Sequence, residues 1–238
     1  MKQRGFQAVI LAGGKGTRLM PLTRNTPKAM ISIRGKPFLE YEVRLLVQNG
    51  ISDIILCVGY LGNVVMDYFG DGDKFGTRIR YSSDGQELKG PIGALKGAES
   101  LLDEHFFVTY GDAYLRADYF RIMDTLLESQ VLGAMTVYHN CNKYGPSDIE
   151  LRDGHVVRYD KVERGKKMEW VNFGITALTR KALALIPNAK EFGEAEFYGE
   201  MIRRHELIAV PVNRRFYEIG SMGSLREFEH FISRQSLV

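Results

Sequence analysis

The sequence predicts an α/β fold, with a doubly wound, mostly parallel, Rossmann-like sheet and an added β-rich portion. The first observation is that short apolar segments alternate with helical patterns over the first half of the chain. The second is that the later strand-like segments follow one another closely. The predicted strands are residues 8–11, 53–58, 78–82 and 106–110 in the first half, and 133–139, 148–151, 155–160 and 170–178 in the second.

Each element carries its own signal. The run at residues 8–11 is apolar throughout, as expected of a central strand buried on both faces. A helix is predicted to begin at Pro37, because a first-turn proline loses no hydrogen bond, and to end at Gly50. The last helix is predicted at Ser224 and Glu227, which have capping-box spacing. The other predicted elements are helices at 62–69, 93–101, 180–186 and 194–204 and strands at 207–212 and 216–219.

Composition limits the class of protein. The 238 residues, 45% of them hydrophobic, suffice for a sizeable core, and we expect one domain over 1–238 with halves at about 1–130 and 131–238. A net charge of +3 argues against a nucleic-acid partner. Cys57 lies in an apolar run and is expected to be a buried core thiol, and Cys141 has no His or Cys at ligand spacing, so neither a disulfide framework nor a zinc site is predicted. Without a signal-peptide pattern or a membrane-length apolar run, the chain is expected to be cytoplasmic, with no membrane partner.

A glycine-rich loop follows the first predicted strand. Its glycines, Gly13, Gly14 and Gly16, let backbone N–H groups approach phosphate oxygens closely. The dinucleotide-binding fingerprint fails because Leu19 stands where a third glycine is needed, and the P-loop pattern fails because Lys15 is followed by glycine. A tight turn with solvated charges is the alternative interpretation.

Three cations accompany this loop. Lys15, Arg18 and Lys28 lie within a short stretch after the first strand. Ligands of α/β sheets bind at the carboxyl edge of the strands, so these cations suit a phosphate-rich ligand there. Lys15 is equally compatible with a solvated loop charge.

The same stretch resembles the opening motif of the sugar-1-phosphate nucleotidyltransferase family. The similar segments are Leu11-Ala12-Gly13-Gly14-Lys15-Gly16-Thr17-Arg18-Leu19, Pro21-Leu22-Thr23, Pro27-Lys28-Ala29-Met30, Tyr110-Gly111-Asp112, Asp160-Lys161, Asn172-Phe173-Gly174-Ile175 and Tyr217-Glu218-Ile219-Gly220-Ser221. The resemblance covers nearly the whole chain. By layout the chain is similar to short bacterial members that activate heptose, mannose or N-acetylmuramate phosphates. The resemblance implies the nucleotidyltransferase fold, which is GT-A-like, with a sugar-binding second half.

The resemblance also implies roles for individual residues. Asp112 and Glu218 would hold Mg²⁺, and Arg18 and Lys28 would act on the phosphates during catalysis. Nucleotide-binding residues would be Leu11, Ala12, Gly13, Gly14, Gly16, Thr17, Gly93 and Gly111, and acceptor-binding residues would be Gly145, Lys161 and Asn172. Gln86 is a further candidate for the base edge, because an amide both donates and accepts; a solvated loop glutamine is the alternative.

Three segments depart from the family pattern. Gly90-Pro91-Ile92-Gly93 stands where Gly-Thr-x-Gly is usual, and so lacks a hydroxyl and a backbone N–H. Asp160 replaces the glutamate before Lys161, and Val162 replaces the following proline. Glu218 stands where aspartate is commoner, which moves that carboxylate by one methylene.

The implied reaction joins a nucleoside monophosphate from a nucleoside triphosphate to a sugar 1-phosphate and releases pyrophosphate. Positioning and charge neutralisation should dominate, because the acceptor phosphate is already anionic. A glycosyltransferase would favour an Asp-x-Asp motif, but Asp112 is followed by Ala113-Tyr114. A cytidylyltransferase for choline phosphate or a phosphonate, and a non-catalytic sugar-nucleotide sensor, stay open. The base, the sugar and the oligomeric state, a homo-oligomer included, are left undecided.

Overall fold

The structure, a computed structural model, describes residues 5–85, 88–187 and 192–235. Its strands are β1 (Phe6–Leu11), β2 (Ser32–Ile33), β3 (Lys36–Pro37), β4 (Ile51–Val58), β5 (Arg78–Ser83), β6 (His105–Tyr110), β7 (Ala113–Tyr114), β8 (Gly133–His139), β9 (Ile149–Arg152), β10 (His155–Tyr159), β11 (Trp170–Thr179), β12 (Leu207–Val212) and β13 (Tyr217–Glu218). Its α-helices are α1 (Phe38–Gln48), α2 (Gly62–Phe69), α3 (Gly90–Gly97), α4 (Tyr119–Ser129), α5 (Glu194–Arg203) and α6 (Met222–Gln235).

Nine of these strands form one sheet, in the order β5-β4-β1-β6-β11-β8-β12-β10-β9. The predicted parallel arrangement holds on one side, where β5, β4, β1 and β6 are all parallel neighbours. All six residues of β1 are buried, with Ala8 and Ile10 in one core cluster and Val9 and Leu11 in the other. Helices α1, α2 and α4 contribute to the first cluster and α3 and α5 to the second, so both faces of the sheet are covered.

The other side of the sheet is mixed, which corrects the expectation of a mostly parallel sheet. Strand β11 runs antiparallel to both β6 and β8, and β10 runs antiparallel to β12 and β9. Only the β8–β12 pair is parallel there. The antiparallel β9–β10 pair has a local cause. Asp153 and Gly154 have positive φ values of 49° and 78° and join the two strands in a tight hairpin.

Smaller corrections concern the second half. The predicted helix at 180–186 is a 3-10 helix over Arg180–Leu185. The last helix begins at Met222, and its first turn is closed by reciprocal bonds between Ser221 and Ser224 (2.9 and 3.1 Å). Glu227 is not part of this cap, because its carboxylate pairs with Arg215.

A two-strand ribbon outside the main sheet holds together distant parts of the chain. Strands β7 and β13 pair antiparallel, with Glu218 opposite Ala113. Helix α6 packs beneath it, since the ring of Phe231 stacks on Tyr217 at 4.1 Å and Phe228 lies 5.2 Å from Tyr114. These residues belong to a third core cluster that also contains Leu19 of the glycine-rich loop.

Within the described residues, no helix has both the length and the apolar character needed to cross a bilayer.

Candidate active site

A cavity of about 350 Å³ opens at the carboxyl edge of the parallel strands, where β1, β4, β5 and β6 end. Such an edge is the usual ligand position in α/β sheets. Its lining residues are Leu11, Ala12, Gly13, Gly14, Gly16, Thr17, Arg18, Leu19, Lys28, Ala29, Asp84, Leu88, Gly90, Pro91, Ala94, Tyr110, Gly111, Asp112 and Gly220.

The floor of this cavity is fixed by backbone bonds from both neighbouring strands. The Ala12 N–H donates to the Cys57 carbonyl (2.9 Å), and the Gly111 N–H donates to the Leu11 carbonyl (3.0 Å). Gly111 is required by close packing, because a Cβ there would lie 2.8 Å from the Ala12 Cβ. The start of the loop is therefore held as rigidly as the sheet itself.

Gly16 turns the loop toward the cations. Its φ of +62° lies in the left-handed region, and its carbonyl accepts a bond from the Thr23 hydroxyl at 2.9 Å. A Cβ on Gly16 would lie 2.8 Å from the Lys28 Cβ and 3.0 Å from Thr23. Only glycine combines this backbone conformation with this approach to Lys28.

We expect Gly16→Ala to lower both stability and turnover. The left-handed conformation costs a β-carbon about 1 kcal/mol or more, and the clash displaces Lys28. Thermal unfolding and kcat measure the two effects. Gly14→Ala is the matched control, since a Cβ at Gly14 meets nothing within 4 Å. Equal behaviour of the two variants would contradict the proposed constraint.

Lys28 and Asp112 form an ion pair at the centre of the site. Asp112 follows β6, and its carboxylate contacts the Lys28 ammonium, which is mostly buried. Arg18 lines the same cavity with an exposed side chain. The cavity therefore has a strongly charged end, with two cations and one carboxylate.

The ribbon brings Glu218 to the same end. Its neighbour Ile219 donates its N–H to the Asp112 carbonyl at 3.0 Å. Mg²⁺ prefers oxygen ligands and is commonly held by one or two carboxylates together with substrate phosphates. Asp112, between β6 and β7, and Glu218, on β13, suit that mode of binding, although only Asp112 lines the cavity itself. In the described ranges, no three His, Cys, Asp or Glu side chains are grouped so as to hold a metal, so an all-protein cage is not formed there.

The structure brings most of the predicted nucleotide residues together. Leu11, Ala12, Gly13, Gly14, Gly16, Thr17, Arg18, Lys28, Gly111 and Asp112 all line the cavity. Gly93 does not, whereas its neighbours on α3, Gly90, Pro91 and Ala94, line the wall. Gln86 lies outside the described residues.

The predicted acceptor residues lie apart from this cavity lining. Gly145 is exposed on the loop after β8, where its carbonyl accepts a bond from Asn140 (2.8 Å). The Lys161 ammonium pairs with Glu194 at 2.8 Å, and the other oxygen of Glu194 accepts a bond from the Tyr110 hydroxyl. Because Tyr110 also lines the cavity, this chain of contacts connects Lys161 to that cavity.

Asn172 belongs to a polar cluster next to Lys161. Its N–H donates to the Asp148 carboxylate at 3.3 Å. Burial raises the pKa of Asp148 to about 6, an effect that the Lys161 charge opposes. The Tyr159 hydroxyl is buried and has no hydrogen-bond partner among the described residues. The cluster thus offers donors and acceptors for a polyhydroxylated ligand.

Sequence reasoning missed Asp84, Tyr110, Asp148 and Glu194. Asp84 had a readable signal, because it comes two residues after the predicted strand 78–82, just as Asp112 comes two residues after the predicted strand 106–110. Glu194 had none, since its partner Tyr110 is 84 positions away in the chain.

A glycine-rich loop, two cations and a carboxylate at the carboxyl edge of a sheet are typical of proteins that bind nucleoside phosphates. The model of the nucleotidyl transferase family matches residues 7–233, and the chain belongs to that family.

Individual relatives are similar over almost their entire length. The D-glycero-alpha-D-manno-heptose 1-phosphate guanylyltransferase of Campylobacter jejuni is 30% identical over 227 residues, which cover 95% of this chain and 99% of the relative. The choline-phosphate cytidylyltransferase of Streptococcus pneumoniae is 28% identical over 97% of this chain and 100% of its own length. Among solved structures, HddC from Yersinia pseudotuberculosis, complexed with GMP-PN, has a TM-score of 0.79 and 25% identity, with 95% of this chain and 99% of that chain covered.

Proposed function

We propose that this protein transfers a nucleoside monophosphate from a nucleoside triphosphate to a sugar 1-phosphate, with Mg²⁺ as cofactor, and releases pyrophosphate. The observation that carries the proposal is the charged lining of the cavity, where the Lys28–Asp112 ion pair and Arg18 accompany the glycine-rich loop. Family membership and relatives named as sugar-phosphate nucleotidyltransferases support the same reaction.

In this reaction a phosphate oxygen of the acceptor attacks the α-phosphorus. A new P–O bond forms there, while the bond from the α-phosphorus to the oxygen bridging to the β-phosphate breaks. Pyrophosphate leaves with that oxygen and its electron pair. The attacking oxygen is already anionic, so the chain needs no nucleophile of its own.

The chain's residues would act by charge and position. Arg18 offers paired donors that suit the departing β- and γ-phosphates, where negative charge accumulates. Lys28, next to Asp112, suits the inner phosphate and the attacking oxygen. Asp112 and Glu218 would hold the metal ion, which neutralises phosphate charge and polarises the reacting phosphorus when bound.

The acceptor would bind on the side of Lys161, in the second half of the chain. The sugar hydroxyls would meet Asn172, Asp148 and Tyr159, and the acceptor phosphate would meet Lys161. Lys161 is now paired with Glu194 and about half exposed (51%), so an incoming phosphate can reach its ammonium. The residues of 1–130 would then hold the nucleotide and those of 131–238 the acceptor.

We expect Lys161→Met to raise the KM for the sugar phosphate about fivefold to tenfold, with a much smaller change in the triphosphate KM. A charge-assisted contact is lost, and its value is reduced by solvent screening. Steady-state kinetics with each substrate varied in turn measure both constants. Lys166→Met, on the exposed loop nearby, is the control. A larger rise in the triphosphate KM than in the sugar-phosphate KM would remove Lys161 from the acceptor site.

The test of the reaction class is pyrophosphate release from the nucleoside triphosphates against a panel of sugar 1-phosphates. Activity that needs both substrates and is abolished by EDTA supports the proposal. Tight nucleotide binding without pyrophosphate release, for every combination of triphosphate and sugar 1-phosphate, would instead indicate a non-catalytic sugar-nucleotide sensor.

A second candidate acceptor is choline phosphate, the substrate that appears in the name of the Streptococcus pneumoniae relative. Carboxylates and tyrosine rings also bind quaternary ammonium groups, and Glu194, Tyr110 and Tyr159 lie together here. Including choline phosphate and CTP in the panel decides between the two acceptors.

A further inference from the structure

The nucleotide cavity has a second acidic residue, and it lies at the end away from Asp112. Asp84 follows the edge strand β5, whereas Asp112 follows β6. Strands β4 and β1 lie between them, so the two strand ends are three spacings apart, or about 14 Å. Both residues line the cavity. The cavity is thus long enough to hold a nucleoside between them.

The two ends differ in charge and polarity. Lys28 pairs with Asp112 and Arg18 lines the same cavity, whereas Asp84 accepts a bond from the Lys89 N–H and so lies beside the segment that supplies Leu88, Pro91 and Ala94 to the lining. In the described part of the chain, no Lys or Arg side chain lies within ion-pair distance of Asp84. Phosphates belong at the cationic end. The flat, largely apolar base therefore belongs at the Asp84 end.

The Asp84 carboxylate is held in place and directed at this space. Its N–H donates to the Val58 carbonyl (3.0 Å), and one carboxylate oxygen accepts the Lys89 N–H at 3.3 Å. That same oxygen lies 3.4 Å from the position of a Cβ on Gly13, so it faces the glycine-rich loop. Burial raises the pKa of Asp84, although the Lys89 amide and ammonium oppose the shift. Donors from a ligand would therefore stabilise the charged form.

We infer that the base is guanine, and that Asp84 selects it by accepting hydrogen bonds from N1–H and the N2 amino group. This deepens the proposed function by naming the triphosphate as GTP, and it rests on that function. A carboxylate only accepts, so it needs adjacent donors on the base edge. Guanine presents two neighbouring donors. Uracil, thymine, cytosine and adenine each present a donor next to an acceptor. A carboxylate oxygen repels that acceptor atom.

The experiment is calorimetric titration of the full-length protein with Mg²⁺ and each triphosphate, without acceptor. We expect GTP to bind about 10- to 100-fold more tightly than UTP, CTP or ATP. ITP lacks the N2 amino group, so its affinity should fall about tenfold below that of GTP. This comparison uses the wild-type protein and does not depend on any variant folding.

Asp84→Asn then separates recognition from structure. The amide keeps an acceptor for the Lys89 N–H but presents an NH₂ group where an oxygen stood. It should weaken GTP about 10- to 100-fold and favour XTP, whose C2 carbonyl accepts from that NH₂ group while N1–H still donates. A structural role alone would weaken all triphosphates equally. Asp67→Asn, exposed on α2, is the control.

The outcomes are distinguishable. Preference for GTP over ITP, with a switch toward XTP in Asp84→Asn, supports the inference. Tighter binding of UTP, CTP or ATP than of GTP, or an unchanged GTP-to-XTP ratio in the variant, overturns it and leaves the nucleotidyl transfer proposal intact. If no triphosphate binds, the proposed function itself fails.

Discussion

The Asp112→Asn variant is expected to fold normally and to lose about a hundredfold or more of its turnover. The amide preserves the shape of the side chain but removes the negative charge proposed to hold Mg²⁺ against the phosphates. It also removes the charged partner of Lys28, so that the ammonium is no longer held by a carboxylate. Thermal unfolding and kcat at saturating Mg²⁺ measure folding and turnover separately.

Asp124→Asn, exposed on α4, is the matched control for loss of an aspartate charge. Raising the Mg²⁺ concentration should recover part of the activity of Asp112→Asn if the defect is metal affinity. Wild-type kcat in a variant that melts normally would show that Asp112 does not hold the metal.

Arg18→Ala is expected to reduce kcat about a hundredfold while changing the sugar-phosphate KM little. Its proposed partners are the outer phosphates, whose negative charge grows as pyrophosphate departs, so the contact is worth more in the transition state than in the bound substrate. Because the side chain is exposed and lies on the cavity wall, its loss should not affect folding.

Arg18→Lys refines this prediction. A lysine keeps the charge but loses the paired donors, so we expect intermediate turnover. Arg78→Ala, exposed on β5, is the control for removing a surface arginine. An Arg18→Ala variant with unchanged kcat and only a raised sugar-phosphate KM would place Arg18 at the acceptor instead.

Local patterns were enough to predict the parallel half of the fold. The apolar run at 8–11 and the glycines behind it correspond to β1 and to the cavity floor. Where the predicted start of a helix depends on one residue, the predicted boundary is a few residues off. Helix α3 begins at Gly90, with Pro91 in its first turn, instead of at the predicted Gly93, and Gly93 does not line the cavity.

Pairing between distant strands leaves no such local signal. The placement of β11 between β6 and β8 depends on contacts across tens of residues, and neither strand orientation nor neighbour can be read from its own sequence. The contacts of Glu194 with Tyr110 and Lys161 have the same origin. The contacts around Lys161 therefore needed the structure, whereas the grouping of Arg18, Lys28 and Asp112 around one cavity with the glycine-rich loop was predictable from the sequence.

The ribbon of β7 and β13 has a consequence for how the protein becomes active during synthesis. Asp112 leaves the ribosome well before Glu218, and the ribbon is supported by Phe228 and Phe231 of α6, which leave later still. A nascent chain can therefore assemble β1, β4, β5 and β6 while Glu218 and the core cluster that packs Leu19 of the glycine-rich loop are still incomplete. Competence for metal-assisted chemistry would therefore arise only after α6 has been translated and has docked under the ribbon.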